Sequence, residues 1–136
     1  MSVEIAHIRH VGLFSPDLEE HSRFYSDVWG LQRLAETPDA VFFRGSSPEY
    51  FILSLHRGKT RGLHHIAYAM HTEEAVREAA SLLDQTGVRI VEQTGCLDEA
   101  GTGYGFRFID PDGRCIEFSA GIADHRDGWH SKVVNP

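Results

Sequence analysis

Cysteine is nearly absent. Cys96 and Cys115 are the 2 thiols of a 136-residue chain, too few for the disulfide framework of a small secreted domain and more in keeping with reduced thiols inside a cell. Long apolar runs are missing too: nothing approaches the roughly 18 residues of a membrane-spanning helix, and Met1-Ser2-Val3-Glu4-Ile5 lacks the layout of a secretory leader. A cytoplasmic protein is expected, with no membrane partner. Positive charge is scarce, since 13 Lys and Arg against 20 Asp and Glu leave a net charge of −7. The basic residues are scattered singly, so a phosphate backbone or an anionic membrane would be repelled, and nucleic acid is excluded as a partner. No low-complexity tract occurs, and 41% hydrophobic with 24% charged residues is the composition of a folded domain. At about 100–200 residues per domain this length holds one. What the chain does have is histidine, 9 in all, at positions 7, 10, 21, 56, 64, 65, 71, 125 and 130.

Self-similarity organises the chain. Residues 9–15 read Arg-His-Val-Gly-Leu-Phe-Ser and residues 64–70 read His-His-Ile-Ala-Tyr-Ala-Met, two short apolar strands with a histidine second, offset by 55. Asp17 and Thr72 each follow 7 residues after that histidine and open an acidic stretch suited to a helix N-terminus. Leu18, His21, Phe24, Tyr25 and Val28 then recur at helical spacing, as do Val76, Ala79, Ala80 and Leu83, so each helix is expected to bury that face. Gly30 and Gly87 stop the helices in left-handed caps. Strands resume at Leu31–Leu34 and Val88–Val91, and each unit closes on a hairpin. Ala40–Arg44 and Tyr50–His56 flank Gly45-Ser46-Ser47-Pro48; Tyr104–Ile109 and Arg114–Phe118 flank Asp110-Pro111-Asp112-Gly113. The expectation is an α+β domain over residues 1–120, made of two βαβββ modules at 5–57 and 62–119, with a tail or linker at 121–136.

Strand parity then sorts the polar residues. His65 shares a face with Ala67 and Ala69, His10 with Gly12, and Glu117 alternates against Ile116 and Phe118. Small neighbours leave a hollow on that face, and a lone buried carboxylate is costly there. A single strand histidine is more often a hydrogen-bonded structural residue than a ligand. Here, however, His10, His65 and Glu117 fall on the same parity of equivalent strands in a duplicated unit, and two imidazoles with one carboxylate form a face of a metal coordination sphere. Aligning the closing strands makes Ser54 the repeat mate of Glu117. A neutral hydroxyl is a weak ligand, so the metal would keep open positions. His7, His21 and His71 read as surface residues, and His56 has the parity of Ser54.

The segments Arg9-His10-Val11-Gly12-Leu13, Phe24-Tyr25, Trp29-Gly30-Leu31, His64-His65-Ile66-Ala67-Tyr68 and Asp110-Pro111-Asp112-Gly113 with Ile116-Glu117-Phe118 resemble the vicinal oxygen chelate superfamily. That superfamily contains glyoxalase I, extradiol dioxygenases and bleomycin or fosfomycin resistance proteins. The resemblance spans residues 5–119 and implies two βαβββ modules forming an eight-stranded cup-shaped sheet around a divalent metal, with ligands at His10, His65 and Glu117. Glyoxalase I members carry glutamate where this chain has Ser54, so the two-histidine, one-glutamate set is similar to the Fe(II) extradiol branch, with Mn, Ni or Zn as other metals.

What the resemblance implies is ring cleavage of a small catechol by dioxygen, with an aromatic vicinal diol as substrate and a homodimer as assembly. A catecholate takes two metal positions and leaves one for dioxygen, which a fourth protein carboxylate would fill. Extradiol enzymes also use a histidine and a tyrosine beside the ligands, for which His56 and Tyr104 are the nearest candidates as catalytic residues. The other implied readings are a glyoxalase-type isomerase or lyase, a non-catalytic binding module of the resistance type, or an N-terminal domain of a longer extradiol dioxygenase. Trp129-His130 and Val133-Val134-Asn135-Pro136 are similar to the linker that enters the second half of such enzymes.

Overall fold

The computed structural model describes residues 3–101, 103–122, 124 and 125. The elements run β1 (His7–Ser15), α1 (Leu18–Asp27), β2 (Gln32–Thr37), β3 (Ala40–Arg44), β4 (Leu53–Arg57), β5 (Gly62–Ala69), α2 (Glu73–Gln85), β6 (Arg89–Cys96), β7 (Tyr104–Ile109) and β8 (Cys115–Ala120). The βαβββ order thus occurs twice. The strands form one eight-stranded mixed sheet in the order β2-β3-β4-β1-β5-β8-β7-β6. Contacts divide the chain into two compact units, one of residues 10–64 with 124–125, the other of residues 3–9 with 65–122.

In the 10–64 unit, Asp17 caps α1 by accepting the Glu20 amide at 3.1 Å, and Glu19 and Glu20 sit at the positive end of the helix dipole. Beyond the helix, Gly30 adopts φ 76°, the left-handed conformation expected of it. β1 pairs with β4 in parallel, placing Gly12 beside Ser54, and β3 pairs with β4 antiparallel, placing Phe42 beside Ser54. Leu18, Val41, Phe43, Leu53 and Leu55 form the core, with Leu13, Tyr25, Leu31 and Ile52 packed on it. The buried face of α1 differs from the one the spacing suggests. Leu18 and Ser22 are its buried residues, while Phe24 is 47% and Val28 57% exposed, beside an exposed Trp29. The small Ser22 lets the helix approach the sheet along the Leu18–Ser22–Tyr25 line, which turns Phe24 and Val28 outward.

In the 65–122 unit, Thr72 caps α2 by accepting the Ala75 amide at 3.0 Å, and Gly87 takes φ 83°. Val76 and Ala79 pack against Met70, Phe106, Phe108, Ile116, Phe118 and Ala120, each large side chain contributing roughly 1.5–3 kcal/mol of burial. β5 and β8 pair in parallel with Ala67 beside Glu117, and β7 and β8 pair antiparallel with Arg107 beside Glu117. The turn between them is pinned by Asp110. Its Oδ1 accepts the amides of Asp112 at 3.0 Å and Arg114 at 2.8 Å, and its Oδ2 accepts Arg114 Nε at 3.1 Å.

Several strand boundaries move: β2 runs to Thr37 rather than Leu34, and β8 to Ala120 rather than Phe118. β4 begins at Leu53 rather than Tyr50, and β6 continues to Cys96 through register shifts on either side of Glu92. After the sheet, Asp124 bridges to Glu49 and the His125 ring stacks on Tyr50 with centroids 4.9 Å apart. Trp129-His130 and Val133–Pro136, read from sequence as linker-like, lie outside the described residues. Cys96 and Cys115 are free thiols. Among the described residues no helix is long and apolar enough to cross a membrane.

Candidate metal centre

The pleat of β5 sends His65, Ala67 and Ala69 to one face, and all three are buried. On β8 the same face carries Glu117 and Ser119, both 0% exposed. Because Ala67 is the register partner of Glu117, the small alanine leaves room for the two longer side chains, and His65 Nε2 comes to 3.6 Å from Glu117 Oε1. A second carboxylate joins them. Glu99, in the segment between β6 and β7, has a side chain only 2% exposed, and the ligand atoms of His65, Glu99 and Glu117 lie within 4.8 Å of one another. Ligands about 2.0–2.3 Å from one ion stand roughly 3–4.5 Å apart, so the spacing suits a divalent metal, as does a set of one imidazole and two carboxylates.

Two neighbours already hold Glu117. Its Oε1 accepts Arg107 Nε at 3.0 Å and Arg107 Nη2 at 2.9 Å, while Oε2 accepts the Ser119 hydroxyl at 3.0 Å. Arg107 Nη2 also reaches Glu99 Oε2 at 3.2 Å, and Nη1 approaches Glu92 Oε1 at 3.5 Å. Burial pushes the Glu99 carboxyl up from its ordinary value, and the Arg107 charge offsets only part of that. Burial works against the charge on Arg107, but Glu117 and Glu99 outweigh it and the guanidinium is held more firmly protonated.

In the 10–64 unit, His10 is 1% exposed and stacks on Phe51 with centroids 4.0 Å apart. It lies two residues before Gly12, the register partner of Ser54, just as His65 lies two before Ala67. The buried Ser54 hydroxyl is hydrogen-bonded to His56 Nε2 at 2.8 Å. The His56 ring stacks on His64 at 3.7 Å and 13°, with Phe42 and Phe14 at either end of the stack. His7 and His71 are exposed as expected. His21 is not a plain surface residue: its Nδ1 is hydrogen-bonded to the buried Ser15 hydroxyl at 2.5 Å.

Tyr104 does not share the Glu117 face. With Phe106 and Phe108 it turns toward α2, where Arg77 lies 5.6 Å from its ring centroid and hydrogen bonds from Thr94 and Arg77 lower its pKa. The residue of β7 that reaches Glu117 is Arg107, of the opposite parity. Arg107 and Glu99 are the residues that sequence reasoning missed. The first was readable from the Asp110–Gly113 hairpin, which sets Arg107 opposite Glu117. The second, in the non-periodic stretch Asp98-Glu99-Ala100-Gly101, left no such signal.

Residues 7–118 match the family model of the glyoxalase/bleomycin resistance protein/dioxygenase superfamily, and the chain belongs to that superfamily. It is 32% identical over 138 residues to a manganese-dependent 2,3-dihydroxybiphenyl 1,2-dioxygenase of Geobacillus genomosp. 3, covering 99% of this chain and 44% of that protein. The crystal structure of the Mn(II)-bound glyoxalase from Novosphingobium aromaticivorans superposes with a TM-score of 0.85 at 30% identity, over 90% of this chain and 42% of the other. Homoprotocatechuate 2,3-dioxygenase from Brevibacterium fuscum, in complex with 3,4-dihydroxyphenylacetate, gives 0.83 at 25% identity over 90% and 39%. The chain therefore spans less than half the length of these relatives.

Proposed function

We propose that the chain is a metal-dependent protein of the extradiol dioxygenase kind, in which His10, His65 and Glu117 hold a divalent metal and the substrate is a small aromatic vicinal diol. The observation that carries this reading is the buried pairing of His65 with Glu117 at 3.6 Å on neighbouring parallel strands. His10 joins the set as the repeat mate of His65, on the same strand position and equally buried. Fe(II) is the metal proposed first, with Mn(II), Ni(II) and Zn(II) as the others; the manganese dependence of one relative supports a divalent ion of this group.

When bound, a divalent ion would supply a Lewis-acidic anchor for two vicinal oxygens, and Fe(II) or Mn(II) would add a redox route to dioxygen. His56, its ring fixed by the Ser54 hydroxyl, is proposed to accept the catechol proton. The aliphatic neighbours Ala67 and Ala69 keep water from the carboxylate face. Two copies are proposed to associate through the exposed apolar patch made by Phe24 of α1 and by Val28 and Trp29 just beyond it; a monomer by sedimentation at micromolar concentration and above would overturn that.

The test is anaerobic loading with Fe(II) or Mn(II), then oxygen uptake and absorbance over a panel of catechols. Oxygen consumption with a yellow ring-opened product is expected, and His65→Ala should abolish both metal binding and turnover. One observation favours a second reading: Glu99 offers the additional carboxylate that suits a glyoxalase-type isomerase. Metal binding without oxygen uptake, but with conversion of a glutathione hemithioacetal under Ni(II) or Zn(II), would select it. Retention of small aromatics with no metal bound would select a non-catalytic binding module.

A further inference from the structure

Glu117 is fully buried, and its oxygens are already engaged. A carboxylate oxygen offers two in-plane acceptor positions, and Arg107 donates to Oε1 twice, from Nε at 3.0 Å and Nη2 at 2.9 Å. Ser119 holds the other oxygen. A metal ion draws on the same lone pairs as an N–H donor. It is also Oε1, the oxygen carrying the guanidinium, that faces His65 Nε2. The same guanidinium contacts the buried Glu99 at 3.2 Å.

We propose that Arg107 is the resident cation of this site, and that it competes with a divalent metal for Glu117 Oε1 and Glu99. The inference rests on the metal reading above and concerns how that site is filled. Two buried carboxylates beside an imidazole need a positive partner, and Arg107 supplies it in the metal-free protein. A divalent ion in its place would sit within a few ångströms of the guanidinium, where like charges in a poorly solvated pocket repel strongly. Arg107 has somewhere to go. Nη1 is 3.5 Å from Glu92, whose side chain is 40% exposed, so the guanidinium can keep one carboxylate near solvent while giving up the buried oxygens. A guanidinium that merely orients Glu117 for the metal would have the opposite effect on affinity, because its loss would loosen the ion.

The experiment compares wild type, Arg107→Met, Arg107→Lys and His65→Ala as full chains. Mn(II) binding is measured by calorimetry and by loss of the free-ion paramagnetic resonance signal, and thermal melts are taken with and without Mn(II). Arg107→Met should bind Mn(II) about tenfold more tightly or better, the scale at which residues beside a metal site act. It should also melt lower without metal and gain more from adding it. Arg107→Lys keeps the charge but loses the double donation to Oε1, and should fall between; if Arg107→Met does not fold, the lysine variant decides by the same sign.

Binding in Arg107→Met where wild type shows none also supports the proposal. If wild type binds Mn(II), His65→Ala does not, and the arginine variants bind equally or more weakly, the competition is refuted while the metal reading stands. If neither wild type nor the arginine variants bind Mn(II), both fall.

Discussion

The two units solve one structural problem with opposite chemistry. Each has a parallel strand pair with a buried histidine two residues before the register partner of a buried polar residue: His10, Gly12 and Ser54 in one, His65, Ala67 and Glu117 in the other. The antiparallel neighbour of that polar residue is Phe42 in the first and Arg107 in the second. Where the polar residue is a serine, an imidazole satisfies it and the surroundings are rings: Phe42, Phe51, His56. Where it is a glutamate, the position across the ladder is a guanidinium. A buried hydroxyl needs one hydrogen bond, whereas a buried carboxylate needs a cation, and the cross-strand residue differs accordingly.

The largest effect should come from breaking the charged side alone. Glu117→Leu leaves Arg107 with only Glu99 as a buried partner and should cost about 3–5 kcal/mol, read by urea denaturation at neutral pH. Ser54→Ala, the equivalent cut in the other unit, should cost only about 1 kcal/mol. Equal costs would break the contrast. The intermediate case exchanges the pairs: Glu117→Ser with Arg107→Phe imports the aromatic solution. The double variant should be less destabilised than the sum of its singles by roughly 1–3 kcal/mol, since both charges leave together. Additive losses in a double-mutant cycle would show that the pair is not coupled.

The smallest effect separates the helix caps. The Asp17 carboxyl lies below its ordinary value of 3.8, chiefly because the Glu20 amide donates to it. Folding favours its ionised form, so its contribution is present above 3.8 and fades as pH falls through the lower folded value. Thr72 does not titrate. Amide-exchange protection in the first turn of α1 should therefore weaken in acid while that of α2 holds, and Asp17→Asn should flatten the difference. Equal acid fraying of both helices would count against it.

How much of this was legible depended on periodicity. Asp17, Thr72, Gly30 and Gly87 declared the helix ends because caps are local chemistry. His65 and Glu117 declared a common face because strand parity survives wherever register is regular. The misplaced features lie where periodicity gives no guidance. Glu99 follows a strand with two register shifts, which erase parity before the chain reaches it. The outward turn of Phe24 and Val28 was hidden because Ser22, a polar residue, occupies the buried line of α1. Tyr104 was chosen for its residue type, and its parity, shared with Phe106 and Phe108, already assigned it to the apolar side.

The Asp110–Arg114 turn acts on chemistry it never touches. Asp110 gathers two amides and the Arg114 guanidinium onto one side chain, fixing the phase in which β8 returns along β7. A slide of β8 by one position would present Ile116 or Phe118 to Arg107 and to Ala67, with Glu117 driven among the rings of the opposite face. The mis-set sheet would then bury a guanidinium against hydrocarbon and a carboxylate among phenylalanines, two unpaired charges at once. The ion pair thus works as a proofreader of strand alignment, accepting only the phase that the surface turn dictates.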